Sequence, residues 1–494
     1  MGLDQVLLLG SIVLLAAVLA ARVGSRLGLP SLLIFLALGM VLGQTVVTFN
    51  DADLAHTLGY AALVLILGEG GLTTRWSDIR AALPLAVLLA TVGVGVSVLL
   101  VFLFAHFVLA LPVPVAVLLG VILSPTDSAA VFSVLRRVPL PASIRAVVEG
   151  ESGFNDAPVV LLVTLATAWS LGRGPEGGLP TIAVMVVLQL AAGVAIGVVV
   201  GRLGVLVMQR IALPASGLYP LAAMAWAVLA YGIGAMLGVS GFAAVYVAAM
   251  MLGNGRLPHR NATRSFAEGI GWVAQIGLFV MLGMLSNPQL ISLRSLALGL
   301  GAGTFVTFVA RPLSVIACAA WFRMPWREQA FVSWAGLRGA VPIIMATVPL
   351  AAGAPQSGEL FDMVFAFVVV FTLLQAPTLP WVARRLRVST GEDATDVEIE
   401  FAPLDTIKAD MMQVHVAPGS RLHGVTIREL RLPHSSVVSL IVRDNEPFTP
   451  KPEQTVRTGD DLLIVTNSQD RRRVEARLRS ISGGGRLARW VPGH

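Results

Sequence analysis

The sequence predicts an all-α polytopic membrane protein with a small cytosolic α/β domain at its C-terminal end. Hydrophobic residues make up 56% of the 494 residues and charged residues only 13%, and the mean hydropathy is +0.80. Soluble domains carry about 25% charged residues, so most of this chain is expected to lie in a lipid bilayer. After Arg387 the long apolar runs end, and polar and β-branched segments replace them.

About thirteen apolar segments approach the ~20 residues that cross the hydrocarbon core of a membrane. They lie at 3–21, 30–48, 54–72, 83–108, 112–135, 143–170, 180–208, 216–237, 239–253, 266–286, 293–322, 328–350 and 360–384. The loops on one side carry nearly all of the intervening arginines, whereas Arg173 and Arg294 fall on the other side. The positive-inside rule therefore predicts an outside N-terminus and a cytoplasmic C-terminal domain in a cell (inner) membrane. The first apolar segment begins with Asp4 near its start rather than with a basic region. We therefore interpret this segment as a retained span and not as a cleaved signal.

Three regions follow from this pattern. Residues 1–387 are predicted to form the transmembrane domain, residues 388–407 a solvated acidic linker, and residues 408–485 a cytosolic domain. In the last region, short β-branched runs alternate with turns and are followed by a basic helix, a pattern typical of a small sheet domain.

Composition also disfavours several other classes of protein. The net charge of +6 arises from residues spread over short loops and the tail, so no nucleic-acid partner is expected. The single cysteine, Cys318, provides neither a disulfide framework nor a cysteine-based metal site. The histidines are scattered, and neither H-E-x-x-H nor G-x-S-x-G occurs, which argues against a membrane-embedded enzyme. We expect no cofactor.

Ionisable side chains within apolar segments are functional candidates, because each costs at least about 2.5 kcal/mol at the centre of a membrane helix. The candidates are Glu69, Asp127, Glu149, Glu151, Asp156, Arg311 and Arg338.

Pro125 is expected to interrupt the fifth span, because proline removes a backbone hydrogen bond and clashes with the preceding turn. Non-helical backbone at membrane depth is tolerated where it lines a cavity, and its carbonyls can then ligate a cation. Thr126 offers such a carbonyl, and Asp127 offers a carboxylate beside it. The alternative is a simple proline kink with Asp127 near the cytoplasmic interface.

The sixth span presents a polar face, because Glu149, Ser152 and Asp156 recur at i, i+3 and i+7. The carboxylates of Asp127 and Asp156 would form an oxygen cage for a dehydrated monovalent cation. Burial and mutual repulsion favour protonation of one carboxyl, whereas a bound cation favours ionisation. Cation and proton would therefore exclude each other, which is the chemistry of exchange. For Glu149, a surface salt bridge in a cytoplasmic loop explains the charge equally well.

Arg338 is too deep to reach an interface and is expected to pair with a buried acid. Glu151 is the predicted partner, because this pairing leaves Asp127 and Asp156 free to titrate. Glu69, at the cytoplasmic end of the third span, is interpreted as an outer ligand, a gate or an interfacial acid. Arg311, which precedes Pro312, is interpreted as structural or gating.

Four motifs together resemble the monovalent cation:proton antiporter family of the sodium/proton exchanger type. They are "GEGGL", "LSPTDSAAVFSVLRR", "EGESGFNDAPVV" and "GLRGAVPI". The resemblance covers essentially residues 1–387, in the family's order. Residues 398–482 are similar to the C-terminal half of the regulator-of-potassium-conductance module (RCK_C or TrkA_C), and the combination resembles the NhaP-like potassium/proton antiporters.

The resemblance implies a homodimer in which each protomer has a dimerisation domain and a mobile six-helix core. Two inverted repeats, spans 4–6 and 11–13, would form this core, with the fifth and twelfth spans unwound. Asn155 would tie the sixth helix to the interrupted fifth, and Glu151 with Arg338 would form a structural ion pair. The implied ion ligands are Asp127, Asp156, Ser152, Thr126 and, through water, Glu69.

The resemblance also implies an activity. Because Asn155 stands where electrogenic relatives carry a second aspartate, the expected reaction is electroneutral potassium (or sodium)/proton antiport. A sodium/proton antiporter with little potassium selectivity is the main alternative. A potassium channel is the other, because "TVGVG" at 91–95 imitates a carbonyl filter.

The cytosolic domain is expected to regulate transport. Folds of this type suggest cyclic di-adenylate as a ligand, with His434, Arg443 and Asn445 as polar candidates, although a solvated surface is the simpler interpretation of each. No G-x-G-x-x-G follows residue 388, so NAD sensing is not expected.

Overall fold

The computed structural model describes residues 3–27, 31–46, 49, 51–127, 131, 140–174, 178–286, 289, 291–388, 397–404, 409–417, 419–444, 446–467 and 470–485. The chain divides into two compact units, Met1–Ser389 and Thr390–His494.

The secondary structure of the first unit, within the residues described, is helical. Its helices are α1 (Leu3–Leu27), α2 (Ser31–Thr45), α3 (Ala52–Thr73), α4 (Trp76–Ile79), α5 (Leu83–Phe107), α6 (Val113–Leu123), α7 (Ala142–Ser170), α8 (Gly178–Arg210), α9 (Leu218–Met236), α10 (Gly241–Asn254), α11 (Arg260–Leu285), α12 (Leu293–Phe322), α13 (Trp326–Ala335), α14 (Ala340–Ala351) and α15 (Ser357–Leu386).

Each predicted apolar segment contains a helix or a bent helix pair. Within the residues described, seven helices are long and apolar enough to cross a membrane, or eight when the bent pair α13–α14 counts as one span. Shorter apolar helices, among them α2, α6 and α10, accompany them. The count of thirteen spans stays a prediction.

The helices pack into two bundles. One, here called the core bundle, contains α5, α6, α7 and α12 to α15, which are the predicted spans 4–6 and 11–13. The other, here called the scaffold bundle, contains α1 to α3 and α8 to α11. The two bundles meet mainly at two helices of the core bundle. α7 contacts α3 and α10, and α14 contacts α3 and α11.

The core bundle contains matched irregularities. α5 has a π-helical turn at Leu89–Gly93, and α12 has one at Val306–Ala310. The π-helical turn of α5 packs against the part of α12 that follows the α12 turn. The π-helical turn of α12 packs in the same way against the part of α5 that follows the α5 turn. This reciprocal packing favours the predicted internal repeat. The filter-like stretch Thr91–Gly95 is helical and lies within α5, whereas a carbonyl filter requires an extended loop.

Two helix interruptions face each other in the core bundle. α13 and α14 meet at an angle of 52°, with residues 336–339 outside either helix, as predicted for the twelfth span. α6 ends at Leu123, and residues 125–127 are not helical, as predicted around Pro125. Residues 128–130 lie outside the described part of the chain.

The second unit is an antiparallel sheet with one helix. The strands are β1 (Val397–Leu404), β2 (Ala409–Val416), β3 (Ser436–Arg443), β4 (Glu446–Phe448) and β5 (Asp461–Asn467), in the order β1-β2-β5-β3-β4. A four-residue 3-10 turn, Ile427–Leu430, lies between β2 and β3, and α16 (Arg471–Gly484) follows β5. Val474, Leu478 and Ile481 of α16 are buried in this unit's own hydrophobic core.

The predicted linker is wrong over part of its length. β1 lies within residues 388–407 and pairs with β2 from Val397 opposite Val416 to Leu404 opposite Ala409. The acidic composition of this segment obscured its alternation, since Val397, Ile399 and Phe401 are separated by glutamates. A period of two is the signal of a strand.

Candidate functional site

Polar side chains join the interrupted fifth span to α7. The Oγ1 atom of Thr126 lies 2.9 Å from Oγ of Ser152, and Nδ2 of Asn155 donates to the same Thr126 oxygen at 2.8 Å. All three side chains are buried. These contacts bring together Thr126, Ser152 and Asn155, three of the residues predicted to form the site.

Asp127 connects the two interruptions. Its backbone N–H donates to the carbonyl of Leu337 at 2.8 Å, and its Oδ2 accepts from the backbone N–H of Val341 at 3.3 Å. Val341 lies in the first turn of α14, where the helix dipole favours a carboxylate. The carboxylate of Asp127 is therefore fixed at the start of the second half-helix.

Asp156 is buried beside this crossing, with 2% of its surface exposed, and lies within electrostatic reach of Asp127. Its Oδ1 atom and Oδ1 of Asn155 are buried and have no hydrogen-bond partner among the described residues. Leaving a buried acceptor unsatisfied costs about 1–3 kcal/mol. Both oxygens are thus suited to ligate a cation, and the carboxylate of Asp156 is also able to take up a proton.

The predicted ion pair between Glu151 and Arg338 is wrong. Nη1 of Arg311 donates to Oε1 of Glu151, and Nη2 donates to Oε2 at 2.7 Å. Nη2 of Arg311 also donates to the carbonyl of Val332 at 3.3 Å. Arg311 directly follows the π-helical turn of α12, which places its guanidinium beside α7.

Arg338 occupies the non-helical stretch between α13 and α14. Its Nη1 donates to the carbonyl of Gly336 at 2.8 Å, while Nε and Nη2 have no partner among the described residues. Its positive charge thus lies at the C-terminal end of α13, where a helix dipole favours a cation. The prediction rested on the depth of Arg338 in its apolar segment, and depth does not say which helix faces α7.

Glu69 lies on α3, and Glu149 lies on α7 one turn before Ser152. Both are half-buried. The Glu69 side chain packs on α11, where a Cβ atom on Gly271 would come within 2.8 Å of its Cγ. A direct role of Glu69 in holding the ion stays a prediction. Glu149 is on the same face of α7 as Asp156, as its spacing predicts.

Two polar residues near the crossing were missed. The Thr372 hydroxyl of α15 donates to the carbonyl of Arg338, and Gln375, one turn further, is buried with its Nε2 atom unpaired among the described residues. Isolated polar residues in an apolar span were the available signal. Tyr246 of α10 was also missed; it lies against Gly153 of α7.

The candidates in the second unit do not converge. Nε and Nη2 of Arg443 donate to the carboxylate of Asp460, both at 2.8 Å, and these hydrogen bonds raise the pKa of Arg443. Arg443 is therefore held by a structural ion pair. His434 is exposed, and Asn445 lies outside the described residues.

Two family models match the chain. Residues 12–385 match the model described as "Sodium/hydrogen exchanger, transmembrane". Residues 411–479 match the TrkA-C domain.

Curated proteins share similarity over most of the chain. It is 32% identical over 478 residues to the "K(+)/H(+) antiporter NhaP" of Alkalimonas amylolytica, which covers 95% of this chain and 82% of that protein. It is 31% identical over 474 residues to the "K(+)/H(+) antiporter NhaP2" of Shewanella sp. (strain ANA-3), covering 94% and 81%. The "Na(+)/H(+) antiporter ApNhaP" of Aphanothece halophytica is 28% identical over 345 residues, covering 65% and 63%.

A solved structure has the same fold. The sodium proton antiporter MjNhaP1 from Methanocaldococcus jannaschii superposes with a TM-score of 0.66 at 22% sequence identity, covering 78% of this chain and 99% of that one.

Proposed function

This chain belongs to the sodium/hydrogen exchanger family, and from that membership we propose that it exchanges potassium for protons, one cation for one proton. Asp127 and Asp156 are the groups that would carry both ions in turn. The observation that carries the proposal is the pair of buried carboxylates at the crossing of two interrupted helices, one of which has an oxygen without a donor in the described structure.

The balance of buried charge supports the stoichiometry. Three buried acids meet two buried arginines at the crossing. They are Asp127, Asp156, Glu151, Arg311 and Arg338. With all five ionised, three negative and two positive charges leave one net negative charge. One monovalent cation or one proton restores neutrality, and an isolated buried charge is costly.

The oxygen ligands support competition between the two ions. Carboxylate, hydroxyl and carbonyl oxygens from Asp127, Asp156, Ser152 and Thr126 suit a dehydrated alkali cation. Protonation of one carboxyl removes the charge that attracts the cation, and a bound cation opposes protonation. Each ion therefore has to leave before the other binds.

The division into two bundles supports alternating access. The four ligands Asp127, Asp156, Ser152 and Thr126 lie on the core bundle, whereas Glu69 lies on α3 of the scaffold bundle. A movement of the core bundle against the scaffold bundle would therefore carry these four ligands and their ion from one side of the membrane to the other. We propose that the scaffold bundle provides the contact between two protomers of a homodimer.

The names of the relatives support potassium as the cation, because the two relatives at 31% and 32% identity are named as potassium/proton antiporters. The second candidate is a sodium/proton antiporter with little potassium selectivity. It is favoured by the relative at 28% identity, which is named as a sodium/proton antiporter. Oxygen ligands alone do not distinguish the two ions.

The C-terminal unit is proposed to regulate exchange from the cytoplasm. The arginine distribution between spans favours a cytoplasmic C-terminal unit and an outside N-terminus in the cell membrane. Cyclic di-adenylate is the proposed regulatory ligand.

The test is proton movement in everted vesicles reported by a pH-sensitive dye. Vesicles acidified by respiration should lose their pH gradient on addition of potassium, and less so on addition of sodium. Collapse of the membrane voltage with a lipophilic cation should leave the rate unchanged. Equal responses to both cations would favour the sodium alternative, and no response to either would refute exchange.

A further inference from the structure

Tyr246 of α10 lies against the middle of α7. A Cβ atom built on Gly153 would come within 2.6 Å of the Tyr246 hydroxyl oxygen and 3.0 Å of its Cζ atom. Gly153 therefore leaves a notch on α7 that the phenol fills, and a larger residue there would displace the ring. Tyr246 itself is 6% exposed, so the ring is enclosed where the two bundles meet.

The groups around this ring include two acids of α7. Glu149, Gly153 and Asp156 are spaced i, i+4 and i+7 and so share one helix face. The Tyr246 side chain lies within electrostatic reach of both Glu149 and Asp156 and close to Thr74 at the end of α3. Phe154 meets the ring edge to face, with centroids 5.3 Å apart. The phenol thus covers the part of α7 between half-buried Glu149 and buried Asp156.

The contact joins parts that belong to different bundles. Tyr246 is on the scaffold bundle, whereas Gly153 and Asp156 are on the core bundle. A tyrosine ring excludes water and ions by its bulk, and its hydroxyl tolerates a polar surrounding. Because Gly153 has no side chain, the Tyr246 ring can leave the notch and return to it without passing over a side chain at this position.

We infer that Tyr246 gates the approach to Asp156 from the Glu149 end of α7, the cytoplasmic end in the orientation proposed above. With the ring in the notch, the approach is closed. It opens when α7 moves away from α10 and withdraws Gly153 from the ring. Tyr246 is thus a positioning residue for ion access, and this inference rests on the proposed exchange function.

Thiol labelling measures this access directly. Ser152, next to Gly153, is replaced by cysteine in a chain whose single native cysteine is removed by Cys318→Ala. A membrane-impermeant thiol reagent is then applied to everted and to right-side-out vesicles. Tyr246→Ala should speed labelling several-fold from the Glu149 end and leave it unchanged from the other end. Tyr246→Phe keeps the ring and should label at the rate of the parent chain.

Gly153→Ala tests the same contact by a change on α7 instead of α10. The added methyl group should displace the ring and also speed labelling from the Glu149 end. Combining it with Tyr246→Ala should give no further increase, because both changes remove one barrier. Gly204→Ala is the matched control, since its Cβ atom would also meet an aromatic ring, that of Trp226 at 3.0 Å, between α8 and α9 of the scaffold bundle. It should leave labelling unchanged.

Three results would overturn the inference. Tyr246→Ala could leave labelling unchanged, it could speed labelling from both ends as a general loosening does, or Tyr246→Phe could behave like Tyr246→Ala.

If the cysteine variant does not fold, the half-saturating cation concentration on the Glu149 side serves instead. It should fall several-fold in Tyr246→Ala and stay constant in Tyr246→Phe. Exchange by the unmodified chain, measured in the same vesicles, separates failure of the gate from failure of the proposed function.

Discussion

Arg311 holds the Glu151 carboxylate through both of its terminal nitrogens, and both side chains are almost completely buried. Glu151 is therefore committed to α12 and is not available for proton exchange. Arg338 is left at the break between α13 and α14, where it donates to a backbone carbonyl. Asp127 and Asp156 then remain as the buried carboxyls at the crossing that are proposed to bind and release ions.

Replacing Arg311 by Met should destabilise the membrane unit severely. Removal of one partner of a buried ion pair leaves an uncompensated charge and costs about 3–5 kcal/mol. Thermal unfolding of the purified protein in detergent should therefore begin at a clearly lower temperature. The matched change Arg338→Met removes a guanidinium of the same size that makes a single hydrogen bond to the described residues, and it should cost less. An equal loss in the two variants would contradict the assignment of the ion pair.

Changing Asn155 to Asp should make exchange sensitive to voltage. The substitution adds a carboxylate next to Asp156 and would raise the net charge of the empty site from one to two negative charges. A site that binds one cation on one half-cycle and two protons on the other moves net charge. The rate in vesicles should then respond to an imposed membrane potential. Asn155→Ser keeps the site neutral at this position and should stay insensitive, so the same response in both variants would refute the charge-balance argument.

Thr126→Val should weaken cation binding without unfolding the protein. The hydroxyl of Thr126 bridges the side chains of Ser152 and Asn155. Its removal leaves buried polar groups without a hydrogen-bond partner, which costs about 1–3 kcal/mol. The half-saturating cation concentration should rise roughly tenfold, which corresponds to about 1.4 kcal/mol. Thr304→Val is the control, because its exposed hydroxyl only donates to the carbonyl of Leu300. Unchanged half-saturation in Thr126→Val would show that these contacts do not shape the site.

Asp460→Asn should lower the unfolding temperature of the C-terminal unit, produced as residues 390–494 with its own hydrophobic core. The pKa of Arg443 is raised by Asp460. The stabilisation of the folded unit by this ion pair is therefore complete below the ordinary pKa of arginine and is lost only as the pH rises past the raised value. The decrease in unfolding temperature caused by Asp460→Asn should thus be the same from about pH 6 to about pH 9. Glu475→Gln, in a partly exposed i,i+4 pair with Arg479, should have little effect. A deficit that disappears within this pH range would contradict the ion pair.

The sequence predicts the local features of the site well, because they depend on neighbouring residues. Pro125 identifies the interruption of the fifth span, and the spacing of Ser152 and Asp156 places them on one helix face. The alternation of charged loops predicts the spans that pack into the core bundle. The basic helix after β5 is also predicted from its own residues.

Contacts between distant helices are not available from spacing. Arg311 and Arg338 are both buried arginines in apolar runs, and only the packing of α12 on α7 decides that Arg311 meets Glu151. The fit of Tyr246 into the notch at Gly153 has no local signal, because each residue is ordinary in its own helix. β1 is a different case, because its alternation was present in the sequence but its acidic composition favoured a linker.

If Asp156 carries the exchanged ion, the Asp156→Asn variant should lose cation-dependent proton movement in everted vesicles. The amide has nearly the same shape but has no charge and does not bind a proton at neutral pH. We expect the variant to fold and elute like the parent chain and to show no proton movement on addition of potassium or sodium. Exchange at the parental rate in this variant would refute the role of Asp156 in carrying the ion.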